Sequence, residues 1–545
     1  MPSLKNFPAE WGWCGNRCVC VSVKNTCSLG RVFLSTLGIV RFLYPAVRYP
    51  AMRPKAELAI GLLIFLGVAA ARIFLAFQAE GFSDDQAYAV LRQVEHISGT
   101  GRLISYDELS YGGRERITAP LFPYLLAGFD IFMPLGLAAK IVPNVLAAVL
   151  SIIMFYLAKQ ITGSLRIMVL SAVLAGMIPV FVAKTVNAVS PYTLIIPLVF
   201  FMIYCLMRIE HPRFVSGFII AALALALTSP AGFIVVLGLL FYLVLARLEK
   251  MDLSRAEVEL ILFIVVLMAA TEFIIYRKAL ALHSYAVIWQ NVPAVLLTEY
   301  FPRTDLLHAI YQVGTIPFLG GAYIIYRRLT SRKGKFAYLM MSFALAAGML
   351  LWLNLIQLDA GLLFLGSILV ALSIEFFAAF MRYLDRTKVD RFKDSILAGI
   401  GIIIVVTSGL PAAAFAQEEM RQVPSAAEVA ALEFLREQPQ GVTLATVREG
   451  NMVSGIAGKK NVADDGFILI RDSRERIQDV QFMFTTFSET GALDLLQKYG
   501  IEYLYFSPRA RERYGINVPA YVTEECFENI YDAEVQIYRV RCALG

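Results

Sequence analysis

Eleven apolar runs recur along the chain, at about 57–78, 138–159, 166–183, 192–208, 213–228, 230–247, 257–276, 306–327, 336–354, 361–381 and 395–416. Each is near or above the length an α-helix needs to cross a hydrocarbon core about 30 Å thick. The polar segments between them test the count. With a cytoplasmic N-terminus, the inside segments hold Arg53 and Lys55; Lys159 and Arg166; Arg208 and Arg213; Arg247, Lys250 and Arg255; the basic run 327–335; and the basic run 382–393. The short outside turns hold only Lys184. This alternation is the one that orients membrane helices. Two longer outside loops remain, 79–137 and 277–305, and the chain beyond residue 416 also ends outside.

The segment "APLFPYLLAGFDIFMPLG" (119–136) is apolar but interrupted by Pro120, Pro123 and Pro134. A full span here would put every later basic loop outside. It is therefore predicted to be interfacial or re-entrant. After residue 416 the pattern changes. Ser425 and Glu428 form a capping box at the head of an amphipathic helix. "GVTLATV", "IEYLYF" and "AEVQIYRV" alternate as strands do, with "TGALDLLQKYG" reading as a helix. The prediction is a polytopic α-helical membrane protein of about eleven spans with a C-terminal extracytoplasmic α/β domain. Its parts are an N-terminal extension over 1–51, a transmembrane domain over 52–416 and a soluble domain over 417–545.

Composition sharpens this in three places. A hydrophobic fraction of 58% and a mean hydropathy of +0.64 exclude an ordinary soluble protein. The net charge of +6 resides mostly in short loops, so no nucleic-acid partner is expected. Met52 opens a basic start followed at once by an apolar span, so residues 1–51 read as an upstream extension or a mis-assigned start. Cys14, Cys18, Cys20 and Cys27 within it match no common zinc spacing. Cys526 and Cys542 could pair outside the cell, but sequence alone leaves this open.

The candidate chemistry lies in the first outer loop, at "GFSDDQAYAVLRQVEH" (81–96). One reading is structural: Ser83 caps a helix over 84–99, Gln86 completes a capping box, and Asp84 and Asp85 suit the helix dipole. The other is functional. Adjacent helical residues point about 100° apart, so one carboxylate can face a cleft while the other caps or orients its neighbour. A carboxylate at a membrane boundary can act as a general base or hold a divalent cation. Tyr88, Arg92 and Glu95 follow at helical spacing, then Arg114 and Arg116, whose guanidinium forks suit phosphate, beside a Gly112–Gly113 turn. Glu272 and Glu375 sit within apolar runs, a functional flag by default. Glu272 would line a cavity, and Glu375 would snorkel or pair with Arg382. "YAVIWQN" (285–291) would stack on a sugar or anchor at the interface.

The stretch "SDDQAYAVLRQVEHISGTGRLISYDELSYGGRERITAPLFPYLLAGF" resembles the first extracytoplasmic loop of the GT-C superfamily of membrane glycosyltransferases, which includes protein mannosyltransferases and oligosaccharyltransferase catalytic subunits. "PVFVAKTVNAVSPYTLIIPLVF", the "LTSPAG" turn and the outer C-terminal domain fit the same plan. The resemblance implies a glycosyltransferase that moves a sugar from a polyprenyl-phosphate-linked donor to a protein, lipid or glycan acceptor on the outer face of the cell membrane. Asp84 or Asp85 would take the acceptor's proton or position the acceptor. Arg114, Arg116, Lys184, Arg277, Lys278 and Arg303 would bind donor phosphate. Tyr88, Arg92, Glu95, Glu272 and Glu299 would line the cavity or meet the acceptor. No cofactor is required by the sequence itself; the resemblance allows Mg2+ or Mn2+ on Asp84, Asp85 and Glu299. The chain departs from the family in lacking the W-W-D motif of oligosaccharyltransferases and the His-Pro-Pro sequence of protein mannosyltransferases. Transfer of a lipid-diphosphate oligosaccharide to protein Asn is the alternative enzymatic reading. A lipid-linked sugar transporter or a non-catalytic membrane scaffold is the alternative outside enzymology.

Overall fold

Leucine, isoleucine, valine and phenylalanine fill the long runs, and the computed structural model places a helix on every one of them. The structure describes residues 54–330 and 334–542. The N-terminal extension and its cysteines lie outside the described residues. Pro54–Ala76, Leu135–Thr162, Phe233–Leu248, Arg255–His283, Lys335–Trp352 and Leu358–Leu384 are continuous helices. By length and composition seven helical stretches among the described residues can cross a membrane, or eight if Leu165–Gly176 and Pro179–Val186, bent by 45°, make one span. The expected count of eleven is thus higher than continuous helix length supports. Tyr192–Leu206 and Pro212–Ala226 are short, and the 306–327 run is broken into Leu306–Val313 and Thr315–Thr330. The break falls at Gly314, whose φ of +95° is costly for any residue with a Cβ. The chain is an integral membrane protein.

The proline-bearing segment forms only a ten-residue helix, Leu121–Asp130. At about 1.5 Å per residue that is half a membrane thickness.

The C-terminal region builds one mixed sheet from β3 (Val442–Leu444), β4 (Lys460–Asn461), β5 (Ile501–Phe506), β6 (Phe527–Asp532) and β7 (Gln536–Val540); β1 (Tyr106–Asp107) and β2 (Arg114–Glu115) form a separate hairpin in the first outer loop. The strand order is β4-β3-β5-β7-β6. β3 runs parallel to β4 and β5, while β7 is antiparallel to β5 and β6. The expected capping box heads helix Ala426–Glu437, with Ser425 N donating to Glu428 at 2.7 Å. Cys526 and Cys542 are joined as a disulfide.

One hydrophobic cluster ties the sheet to the first outer loop. Phe82, Tyr88, Val94 and Ile97 of the loop are buried with Leu432, Leu435, Val453, Tyr503 and Tyr505 of the C-terminal region. Burial of this kind is worth roughly 1.5–3 kcal/mol for each large apolar side chain. The loop helix and the sheet therefore act as one body, which matters for everything placed at their junction.

Candidate functional site

The loop helix spans Asp85–Thr100, and its N-cap is Asp84 rather than Ser83. Asp84 Oδ1 accepts from Gln86 N at 3.2 Å. Ser83 instead donates its hydroxyl to Asn187 O at 3.1 Å and pins the loop to the membrane domain. The one-residue shift decides the roles of the acidic pair. As N-cap, Asp84 has extended backbone and keeps an open face. As first helical residue, Asp85 points the other way, into the C-terminal region. There Asp85 Oδ2 accepts from Asn451 N at 3.1 Å and Asn451 Nδ2 at 2.9 Å, and Oδ1 accepts from Met452 N at 2.9 Å.

The same Asn451 amide donates to Asp465 Oδ1 at 2.8 Å. Burial and then the Asp465 carboxylate push Asp85 well above the ordinary carboxylate range, against the hydrogen bonds from Asn451 and Met452. Asp465 is raised too, by burial and then by the charges of Asp464 and Asp84. Asp84 keeps solvent access on one face, yet the protein atoms packed round it at the junction raise its pKa, with its bond to Gln86 and the cations Lys184 and Arg448 working against the shift. Two acidic pairs, one from each half of the chain, thus face each other.

The β1–β2 hairpin explains where the loop arginines go. Its turn has Tyr111, Gly112 and Gly113 at positive φ, and a Cβ on Gly113 would stand 2.4 Å from the Tyr106 hydroxyl. The turn drives Tyr111 into the C-terminal region. Tyr111 N donates to Asn461 Oδ1 at 2.9 Å, and Arg476 donates to Tyr111 O at 2.9 Å. Arg114 pairs with Asp464 at 2.9 Å and donates to Gly466 O. Burial disfavours the Asp464 charge, but Arg114, Ser110 and the Gly466 amide outweigh it and hold its pKa below the ordinary value. Arg92 and Arg116 both pair with the buried Asp107. These three arginines are committed to joining the loop to itself and to the sheet.

The other expected residues divide between junction and surface. Lys184 lies 2.5 Å from Glu419 and 3.1 Å from Asp359. Lys278 pairs with Glu115 at 2.9 Å. Arg277 and Arg303 are exposed. Tyr88 is buried, its hydroxyl accepting from Phe82 N at 3.4 Å, and Glu95 is exposed. Glu299 receives Arg513 through two bonds of 2.9 Å and Arg448 at 2.6 Å. Glu272 is buried within its helix, with neither oxygen hydrogen-bonded among the described residues, and it does not line the cleft described below. Glu375 pairs with Arg328 of the neighbouring helix at 2.6 Å, not with Arg382. Arg382 donates to Ala378 O of its own helix at 3.1 Å. Arg328 lies across a packed helix pair, and sequence spacing along one helix cannot reveal such a partner. Trp289 donates to Asn354 O at 2.9 Å.

A divalent ion does not fit Asp84, Asp85 and Glu299 in this arrangement. Asp85 is satisfied by three N–H donors and Glu299 by two guanidinium groups. Among the described residues no three His, Cys, Asp or Glu side chains stand close enough together to share an ion.

A cleft of about 160 Å3 opens beside the acidic pairs, lined by Gln86, Arg114, Arg116, Asn451 and Asp465 among others. Asn451, Asp465 and Arg448 are site residues that sequence reasoning missed. The visible signal was a second acidic pair, "VADDG" (462–466), more than 350 residues from the first.

No family model matches the sequence, and no curated protein matches it. Solved structures do match. The oligosaccharyltransferase of Archaeoglobus fulgidus in its apo form superposes with a TM-score of 0.61 at 13% identity, over 81% of this chain and 69% of that one. The archaeal oligosaccharyltransferase AglB from Archaeoglobus fulgidus, in complex with an inhibitory peptide and a dolichol-phosphate, gives 0.57 at 13% identity, over 82% and 69%. ArnT from Cupriavidus metallidurans in its apo state gives 0.51 at 10% identity, over 88% and 97%. At these identities the likeness is one of fold: this chain shares the fold of the archaeal oligosaccharyltransferase and of ArnT, a helical membrane part followed by a C-terminal mixed sheet, as the first-loop resemblance led one to expect.

Proposed function

We propose that the chain is a membrane glycosyltransferase that moves a sugar from a polyprenyl-phosphate-linked donor to an acceptor on the extracytoplasmic face. The observation that carries this reading is Asp84. Within a GT-C fold it is the member of the first-loop acidic pair with an open face, and Lys184 and Arg448 are the cations that oppose its pKa shift. The dolichol-phosphate in the AglB complex supports a polyprenyl phosphate as the donor's carrier.

In the reaction the acceptor oxygen attacks the anomeric carbon. The carbon–oxygen bond to phosphate breaks, and the electron pair leaves with the phosphate. Asp84 accepts the acceptor's hydrogen bond, or its proton, as the new bond forms. Lys184 and Arg448, paired with Asp359, Glu419 and Glu299 in this structure, turn to the departing phosphate charge in place of those carboxylates, which is electrostatic stabilisation where charge develops. Asp85 holds the C-terminal region in place and does not touch the reacting atoms. The bilayer supplies the donor's lipid tail, and the N-terminus is cytoplasmic. The AglB structures favour the second reading, transfer of a lipid-diphosphate oligosaccharide to Asn, but this chain has no W-W-D motif.

The test is transfer of radiolabelled sugar from short-chain polyprenyl-phosphate and -diphosphate donors in proteoliposomes. Wild type transfers and Asp84→Asn does not, while the variant's melting temperature is unchanged. Full activity of Asp84→Asn would refute the assignment. Absence of transfer from any donor by folded wild type would move the weight to transport or scaffolding.

A further inference from the structure

We infer that Asp465, carried by the C-terminal region, is an acceptor-binding carboxylate of this site, taking a hydrogen bond from an O–H or N–H of the incoming acceptor other than the attacking hydroxyl, whose hydrogen goes to Asp84. The inference rests on the glycosyltransferase reading above and adds a residue that neither the first outer loop nor the membrane domain contains.

The two members of the second acidic pair have different surroundings. Asp464 is fully buried, accepts from Arg114, Ser110, Asn461 and the Gly466 amide, and does not line the cleft. Its bonds join the β1–β2 hairpin to the sheet. Asp465 is part-exposed and lines the cleft. Among the described residues Asn451 donates to it at 2.8 Å, the Gln86 side-chain amide also favours its charge, and no ion pair reaches it. A carboxylate offers about four lone-pair positions, so Asp465 retains capacity for a further donor. Neither amide is a cation. With no ion pair to satisfy it, this carboxylate is suited to a neutral O–H or N–H donor.

The location is as specific as the chemistry. Asn451 Nδ2 touches Asp85 Oδ2 and Asp465 Oδ1 at once, so the first-loop helix and Asp465 are fixed to each other through one side chain. Gln86, whose side-chain amide favours the Asp465 charge, gives its backbone N–H to Asp84, and it lines the cleft beside Asp465. Asp465 and Asp84 are thus joined through a single residue. Lys184 and Arg448 are the cations whose charge reaches Asp84. A second feature of the cleft points to an oxygen-bearing ligand: Arg114, nine-tenths buried in its wall, has an Nε with no hydrogen-bond partner among the described residues.

The experiment measures transfer kinetics with the full-length protein in proteoliposomes, using octyl glucoside and a serine/threonine peptide as acceptor probes. Asp465→Asn is expected to raise the acceptor KM at least tenfold while leaving the donor KM within twofold. Asp465→Glu recovers part of the loss. Asp464→Asn is the contrast: it lowers the melting temperature and moves both KM values together. Unchanged acceptor KM in Asp465→Asn overturns the inference while active wild type keeps the parent reading intact. A melting loss in Asp465→Asn equal to that of Asp464→Asn also overturns it, by assigning Asp465 to the junction. Failure of wild type to use either probe with any donor removes the parent reading and this inference with it.

Discussion

Asp85→Asn separates the two adjacent carboxylates most directly. Asp85 receives three N–H donors across the junction, two of them backbone amides. Asparagine has one oxygen, so one of the two sides must present N–H to N–H. The loss is one or two charge-assisted bonds at about 1.5–3 kcal/mol each. Part is returned, because burial and Asp465 already penalise the charge that the substitution removes. A net cost of about 1–3 kcal/mol for junction closure follows, or roughly a five- to 150-fold larger open population. Hydrogen exchange reads this at the Asn451 and Met452 amides, whose protection depends on the Asp85 oxygens. Exchange there should quicken by that factor, with amides in the membrane helices unaffected. In Asp84→Asn the same amides should exchange at the wild-type rate although transfer is lost. Wild-type exchange in Asp85→Asn together with abolished transfer would refute the reasoning, because Asp85 would then act on substrate rather than hold the junction.

Other outcomes follow from the same geometry. Gly450→Ala puts a Cβ 2.2 Å from Ala463 O and 2.7 Å from Asp464 Cβ, so it displaces the segment carrying Asp465. It should lower kcat/KM for the acceptor more than for the donor, measured by transfer kinetics. Arg448→Ala should weaken donor use at least tenfold by the same assay while sparing acceptor KM. Asp464 is held below the ordinary carboxylate range, so its contribution to stability is present above the unfolded value and lost as pH falls through the lowered folded value. Melting in acid should therefore show a stability loss that Asp464→Asn abolishes. Asp465 has the opposite sign. Its raised folded pKa, set by burial, Asp464 and Asp84 against the amides of Gln86 and Asn451, costs stability as pH rises from the unfolded value through the folded one. Asp465→Asn should then melt no lower than wild type at neutral pH. Replacing both Cys526 and Cys542 with serine should cost about 2–4 kcal/mol, seen as a lower melting temperature that reductant no longer changes.

The class of this protein is written along its chain. Membrane helices are written as local runs of apolar residues because lipid cannot hydrogen-bond a backbone, so each span must be satisfied within its own segment. The same locality made the Ser425–Glu428 capping box, the β5 strand and the Gly112–Gly113 turn legible. The acidic pair at 84–85 was legible as chemistry for a different reason: local sequence explained it equally well as a helix cap, and the resemblance of its loop to the GT-C first outer loop gave it a role. Which charge does what was settled by packing between distant segments. Arg114 looked like a phosphate fork, and its partner Asp464 lies 350 residues away. Ser83 looked like a cap, but its hydroxyl went to Asn187. Glu375 lies near Arg382 in sequence and found Arg328 across a helix pair. Ion pairs depend on distances of a few ångströms between elements that sequence places arbitrarily far apart, and burial sets their strength. The first outer loop wrote down one half of the site; folding brought Asn451, Asp465 and Arg448 to it.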